Sequence, residues 1–159
     1  GVLYNGGEVN SVSNVKRLKE AAAKMNITIL DGTVTNSADV YQAAQSLVGK
    51  VDALFVPTDN TVVSALEAVI KICERSQLPL FSADTDSVKR GTIAAMGFDY
   101  YQHGKQTGAM ARKILAGAAP ESLPVEFQKD LAFHVNAKAA ERMGVKIDKA
   151  ILDSADTLY

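Results

Sequence analysis

The feature that most constrains this chain is a rhythm. Short apolar runs of strand length alternate with longer segments whose apolar residues recur every three or four positions. GVLYN (1–5), ITILDGTV (27–34), DALFVP (52–57) and LPLFSAD (78–84) read as strands. Between them lie helical patterns. Residues 10–25 place Val12, Val15, Leu18, Ala22 and Met25 on one face, and 37–49 is a helix capped by Ser37 and stopped by Gly49. From Thr61 to about Ser76 a third helix keeps Val62, Ala65, Leu66, Val69, Ile70 and Cys73 together. GTIAAMGFD (91–99) is a fifth strand candidate, followed by a helix over 100–117. Strands joined through helices by connections of a few residues imply an α/β fold with a parallel sheet covered on both faces.

From Pro120 the rhythm breaks. APESLPVEFQKD (119–130) carries two prolines and no period, and reads as a linker or surface excursion. LAFHV (131–135) is a further strand, 136–144 a short helix capped by Asn136 and ended by Gly144, and 146–159 a terminal segment.

Composition narrows the function classes. With 159 residues and 47% hydrophobic content the chain can bury one core. Seventeen basic against eighteen acidic residues give a formal charge of −1 without a basic cluster, which argues against nucleic acid as a partner. The lone Cys73 lies in an apolar-periodic run and reads as core. No apolar stretch reaches the ~20 residues of a membrane span, and no leader pattern opens the chain. A chain that starts inside a strand without methionine reads as a fragment.

In open α/β sheets ligands bind outside the carboxyl ends of the strands, where the strand order reverses. In a 2-1-3-4-5 order the relevant loops are NGGEVNS (5–11), TDNT (58–61) and DTDS (84–87). Their candidate binding residues are Asn10, Ser11, Thr58, Asp59, Asn60, Thr61, Asp84 and Thr85. Several of these also suit helix capping, which is compatible with binding. No G-x-G-x-x-G or G-x-x-x-x-G-K-[ST] occurs, so a nucleotide is poorly served. His103 and His134 fall outside these loops, which leaves no nucleophile with a base. Asp59, Asp84 and Asp86 could supply oxygen ligands to Mg²⁺, the basis of an alternative reading as a stand-alone signalling or Mg²⁺-dependent phosphoryl-transfer domain. The loops better suit a zwitterion: helix N-termini attract a carboxylate, and an aspartate attracts an ammonium. Sugars fit nearly as well.

GVLYNGGEVNSV, VPTDNTV, DTDSVKRG, GFDYYQHGKQTGAMARKIL and VNAKAAERMGV together resemble the second half of tryptophan/tyrosine-type ABC transporter substrate-binding proteins. The resemblance covers nearly the whole chain, with Gly6 standing where the family usually has proline. It implies a flavodoxin-like doubly wound parallel sheet, one lobe of a two-lobed type I periplasmic-binding-protein fold plus the returning segment. It implies no enzyme, no cofactor and no metal. The implied ligand is an aromatic amino acid held between lobes, and the implied partner is a membrane permease. The parent would be periplasmic or a cell-surface lipoprotein, with its signal sequence outside this chain. The resemblance also divides the chain into βα units of this lobe (1–91), a crossover strand and helix completing the other lobe (92–119), and a return segment with terminal helix (120–159). A chain with residues 92–119 undocked would expose apolar surface, so a homodimer through that segment is expected.

Overall fold

The computed structural model describes residues 1–128 and 130–159. Four parallel strands form the main sheet in the order β2-β1-β3-β4: β1 (Val2–Asn5), β2 (Asp31–Val34), β3 (Leu54–Val56) and β4 (Leu80–Ser82). Register runs Val2 beside Asp31 through Asn5 beside Val34, and Leu54 beside Leu80 through Val56 beside Ser82. The order reverses between β1 and β3, so the loops that follow these two strands open side by side. That is where the sequence placed the switch point.

Helices follow each strand: α1 (Val9–Lys24), α2 (Val40–Leu47), α3 (Asn60–Ser64) with α4 (Leu66–Ser76), and α5 (Thr85–Arg90). Leu54, Leu66 and Leu80 are fully buried in one cluster with Val56, Val62, Val69 and Cys73. Truncating any of these leucines to alanine would cost about 2–5 kcal/mol. Burial, followed by the charge of Glu74, pushes the Cys73 thiol up to about 12, which makes it an inert core group.

Four expectations need correction. The helix expected from Thr61 to Ser76 is broken at Ala65, where Ser64 Oγ donates to Thr61 O at 2.7 Å and the Ala65 N–H turns to Val62 O at 3.0 Å. A side-chain hydroxyl competing for a helix carbonyl explains the break. Second, Asn36 rather than Ser37 caps the α2 segment, accepting from the N–H groups of Ala38 and Asp39 at the start of a 3-10 turn, Ser37–Asp39. Third, Val12 of α1 and Met25, which follows that helix, are exposed. The buried stripe starts instead at Ser11 and continues through Val15 and Ala22. Fourth, the strands beyond β4 are not all parallel. β5 (Ala94–Phe98) pairs antiparallel with β6 (Leu131–Val135), and β6 pairs parallel with a short terminal strand, β7 (Thr157–Leu158).

This second sheet is stitched to the first. Ile93 N–H donates to Leu80 O at 2.7 Å, and Asn136 N–H donates to Ile93 O at 2.8 Å. Thr92 and Ile93 are buried, whereas α6 (Tyr100–Leu115), which follows β5, buries none of its residues. Gly104, Gly108 and Ala111, spaced along α6 by four and three residues, are exposed. The excursion expected over 119–130 contains only a 3-10 turn, Pro120–Ser122, among its described residues; Lys129 lies outside them. α7 (Ala137–Arg142) is capped by the Asn136 side chain on Ala139 N–H and stopped by Gly144 at φ +74°. α8 (Lys149–Asp153) then leads into β7.

Candidate functional site

The loops after β1, β3 and β4 are fastened to one another by side chains. Asp59 is almost wholly buried, and both of its carboxylate oxygens are used. Oδ1 accepts Val62 N–H at 2.8 Å, capping α3, and Oδ2 accepts Asn5 N–H at 2.7 Å, tying β1 to β3. Asn5 Nδ2 donates to Thr61 Oγ1 at 2.8 Å, and Asn10 Nδ2 donates to Thr58 O at 2.9 Å. Asp59 and Asn10 are therefore fixtures of the wall, and Asp59 has little capacity left for a ligand.

Glu8 completes the fastening. Its Oε1 accepts Thr61 N–H at 3.0 Å and Thr61 Oγ1 at 2.8 Å, and its Oε2 accepts Asn60 N–H and Asn60 Nδ2, each at 3.1 Å. Slight desolvation opposes its charge, but the hydrogen bonds from Thr61 and Asn60 outweigh that and hold the Glu8 carboxyl below its ordinary value. The first turn of α3 is thus filled by the protein's own carboxylate. The first turn of α1 differs, because Glu8 occupies its N-cap position without any side-chain cap bond. Beneath that turn the hydroxyl of fully buried Ser11 has no partner. A buried polar group of this kind calls for one.

Asp84 caps α5, with Oδ2 accepting Ser87 N–H at 3.1 Å and Ser87 Oγ at 2.6 Å, and Oδ1 accepting Asp86 N–H at 3.4 Å. The long bond makes Oδ1 the less occupied of the two oxygens, with the Tyr100 hydroxyl lying against the same carboxylate. Asp84 shares a cavity of about 400 Å³ with Thr58, Asp59, Asn60, Asp86, Arg90 and Tyr100. Thr85 points elsewhere: it is buried and donates to Phe98 O at 3.3 Å, pinning β5 to the β4–α5 loop. At the same place a side chain on Gly97 would collide with the Ala83 carbonyl oxygen, so this close approach requires glycine.

Besides Val63, two polar residues of the cavity, Arg90 and Tyr100, escaped the sequence reading. Arg90, at the far end of α5, returns to the site, forking onto Glu67 at 2.8 and 2.9 Å and donating to Val63 O at 2.8 Å, the carbonyl end of α3. Tyr100 enters from the start of α6, and burial followed by the charge of Asp84 raises its phenol above the ordinary value. Both come from outside the strand-end loops, and only contact across the fold brings them in. Among the described residues no three acidic, histidine or cysteine side chains gather as a metal site. His103 stacks on Phe98 and His134 lies beside Tyr159, both away from the cavity.

The cavity opens between the loops that follow β3 and β4, at the carboxyl ends of the strands where open α/β sheets bind ligands. The family described as ABC transporter substrate binding protein matches residues 1–158, and the chain belongs to that family. It is 38% identical over 125 residues to the tyrosine-binding protein of Clostridioides difficile, a match covering 79% of this chain and 36% of that protein. Two solved structures are similar along the whole chain. A conserved domain protein from Vibrio cholerae aligns with a TM-score of 0.95 at 42% identity. An ABC domain from Streptococcus pneumonia in complex with L-Trp aligns with a TM-score of 0.93 at 30% identity. The chain spans 54% of each of these structures and less than half of the curated relative.

Proposed function

We propose that this chain is the second-half portion of the substrate-binding component of an ABC importer, with an aromatic amino acid such as tryptophan or tyrosine as its ligand. The observation that carries this reading is the pairing of an open acidic group with an open helix start on one rim. Asp84 offers Oδ1 to an ammonium. The uncapped first turn of α1, with the orphaned Ser11 hydroxyl, offers donors to a carboxylate. Of the residues assigned to the ligand, Ser11, Thr58 and Asp84 face it, while Asn10, Asp59, Asn60, Thr61 and Thr85 hold the walls in place. The binding function of the family and the amino acids named with its relatives agree with this reading.

In the same reading the segment 92–119 completes the other lobe of the longer protein, and residues 120–159 return to this one. The protein delivers its ligand to a membrane permease from the periplasm or, lipid-anchored, from the cell surface. No helix among the described residues is long and apolar enough to cross a membrane.

Calorimetry on the full-length protein with L-tryptophan, L-tyrosine and Mg²⁺ tests the proposal. Saturable binding of either amino acid supports it. Binding of Mg²⁺ with no response to amino acids overturns it.

A further inference from the structure

Glu8 does two things that pull in different directions along the chain. Its backbone is extended at φ −88° and ψ 112°, and its carbonyl accepts Val12 N–H at 3.0 Å, so it begins α1. Its side chain, however, abandons α1 and crosses to the loop after β3, where each carboxylate oxygen takes one main-chain and one side-chain donor from Asn60 and Thr61. A carboxylate has about four acceptor positions, and these four bonds fill them. Partners more than fifty positions apart in sequence are thereby held together at the rim of the site.

Two consequences follow for any second carboxylate. At Asn60 and Thr61 it would find the donors taken and meet a negative charge. At Val9 to Ser11 it would find a helix start of sixteen residues with no capping side chain and a buried hydroxyl lacking a partner. We infer that Glu8 is a positioning residue: it closes the Asn60–Thr61 turn with a resident carboxylate and so assigns an incoming ligand's carboxylate to the start of α1. The second half of this inference rests on the amino-acid reading above. The first half stands without it.

The test follows the backbone amide resonances of the full-length protein in the wild type, Glu8→Gln and Glu8→Ala, with sodium acetate and L-tryptophan as probes. In the wild type, acetate should leave the Asn60 and Thr61 amides in place, and L-tryptophan should move those of Val9 to Ser11. In Glu8→Ala, acetate should move Asn60 and Thr61, and affinity for L-tryptophan should fall about tenfold as the rim loosens and a competing carboxylate position opens. Glu8→Gln keeps the bulk of the side chain but sets an NH2 donor against two donors of the turn, so acetate should move the Asn60 or Thr61 amide in this variant too, which a role of bulk alone would not produce. Wild-type Asn60 and Thr61 amides that respond to acetate or L-tryptophan as strongly as those of Glu8→Ala would overturn the inference. So would unchanged L-tryptophan affinity in Glu8→Ala. If L-tryptophan moves no amide in the wild type, the functional reading falls while the acetate comparison still decides the role of Glu8.

Discussion

The carboxylate of Asp59 receives the backbone N–H of Asn5 at 2.7 Å, so the ends of β1 and β3 are joined by a side chain where their ladder no longer joins them. The other oxygen of Asp59 caps α3. Asp59→Ala removes a cap worth ~0.5–2 kcal/mol and leaves a partly buried N–H unpaired at ~1–3 kcal/mol. Thermal or denaturant unfolding should show a loss of about 2–4 kcal/mol, with Asp59→Asn falling between. A loss below ~0.5 kcal/mol would contradict the bridging role.

Asp84 should behave differently. Asparagine caps helices as well as aspartate does, so Asp84→Asn should keep α5 and the fold. Its affinity for L-tryptophan in the full-length protein should fall by roughly 1.5–3 kcal/mol, the range for a hydrogen bond to a charged group. Affinity equal to the wild type would remove Asp84 as the ammonium partner.

Acid stability should report on Glu8 and Glu67. Hydrogen bonds hold both carboxyls below their ordinary value of 4.5, those to Glu8 against slight desolvation and that to Glu67 chiefly from Arg90. A carboxyl depressed in the folded state contributes stability in full above its unfolded value, and the contribution disappears as pH falls through the folded value. Unfolding free energy measured from pH 6 downward should therefore begin to drop near the ordinary carboxylate range of about 4.5. A Glu8→Gln/Glu67→Gln variant should show a shallower drop. Glu8 is half-buried and Glu67 exposed, so solvent keeps the effect small; an identical profile in the variant would dismiss it.

The exposed run of the crossover segment predicts association. Met96, Phe98, Tyr101 and Leu115 are 49–88% exposed on neighbouring elements, and no residue of α6 is buried. The 159-residue chain by itself should sediment as a dimer at micromolar concentration, its apolar surface covered by a second copy. A compact monomer would refute this.

Much of the fold was legible because the βα rhythm encodes its own layers: each buried strand and each apolar helical stripe can be satisfied only by the other. Val62, Leu66, Val69 and Cys73 occupy the core their spacing implied. What the residues could not disclose was pairing direction, since LAFHV has the same pattern whether it runs with or against β5. The break at Ala65 was equally hidden, because it hangs on one serine hydroxyl choosing a carbonyl. In the site, loop chemistry pointed to Asp59, Asn60 and Asp84. It did not separate the groups that hold the walls from those left open, because that difference lies in contacts such as Asn5 with Asp59 that span more than fifty residues.

The interruption at Ala65 has a bearing on how such a protein can change over generations. Because Ser64 ends α3 before α4 begins, the rim at Asn60 and Thr61 sits on a five-residue module that meets α4 at a joint rather than as continuous helix. Substitutions at the exposed rim of that module can therefore accumulate while Leu66, Val69 and Cys73 keep their places in the interior.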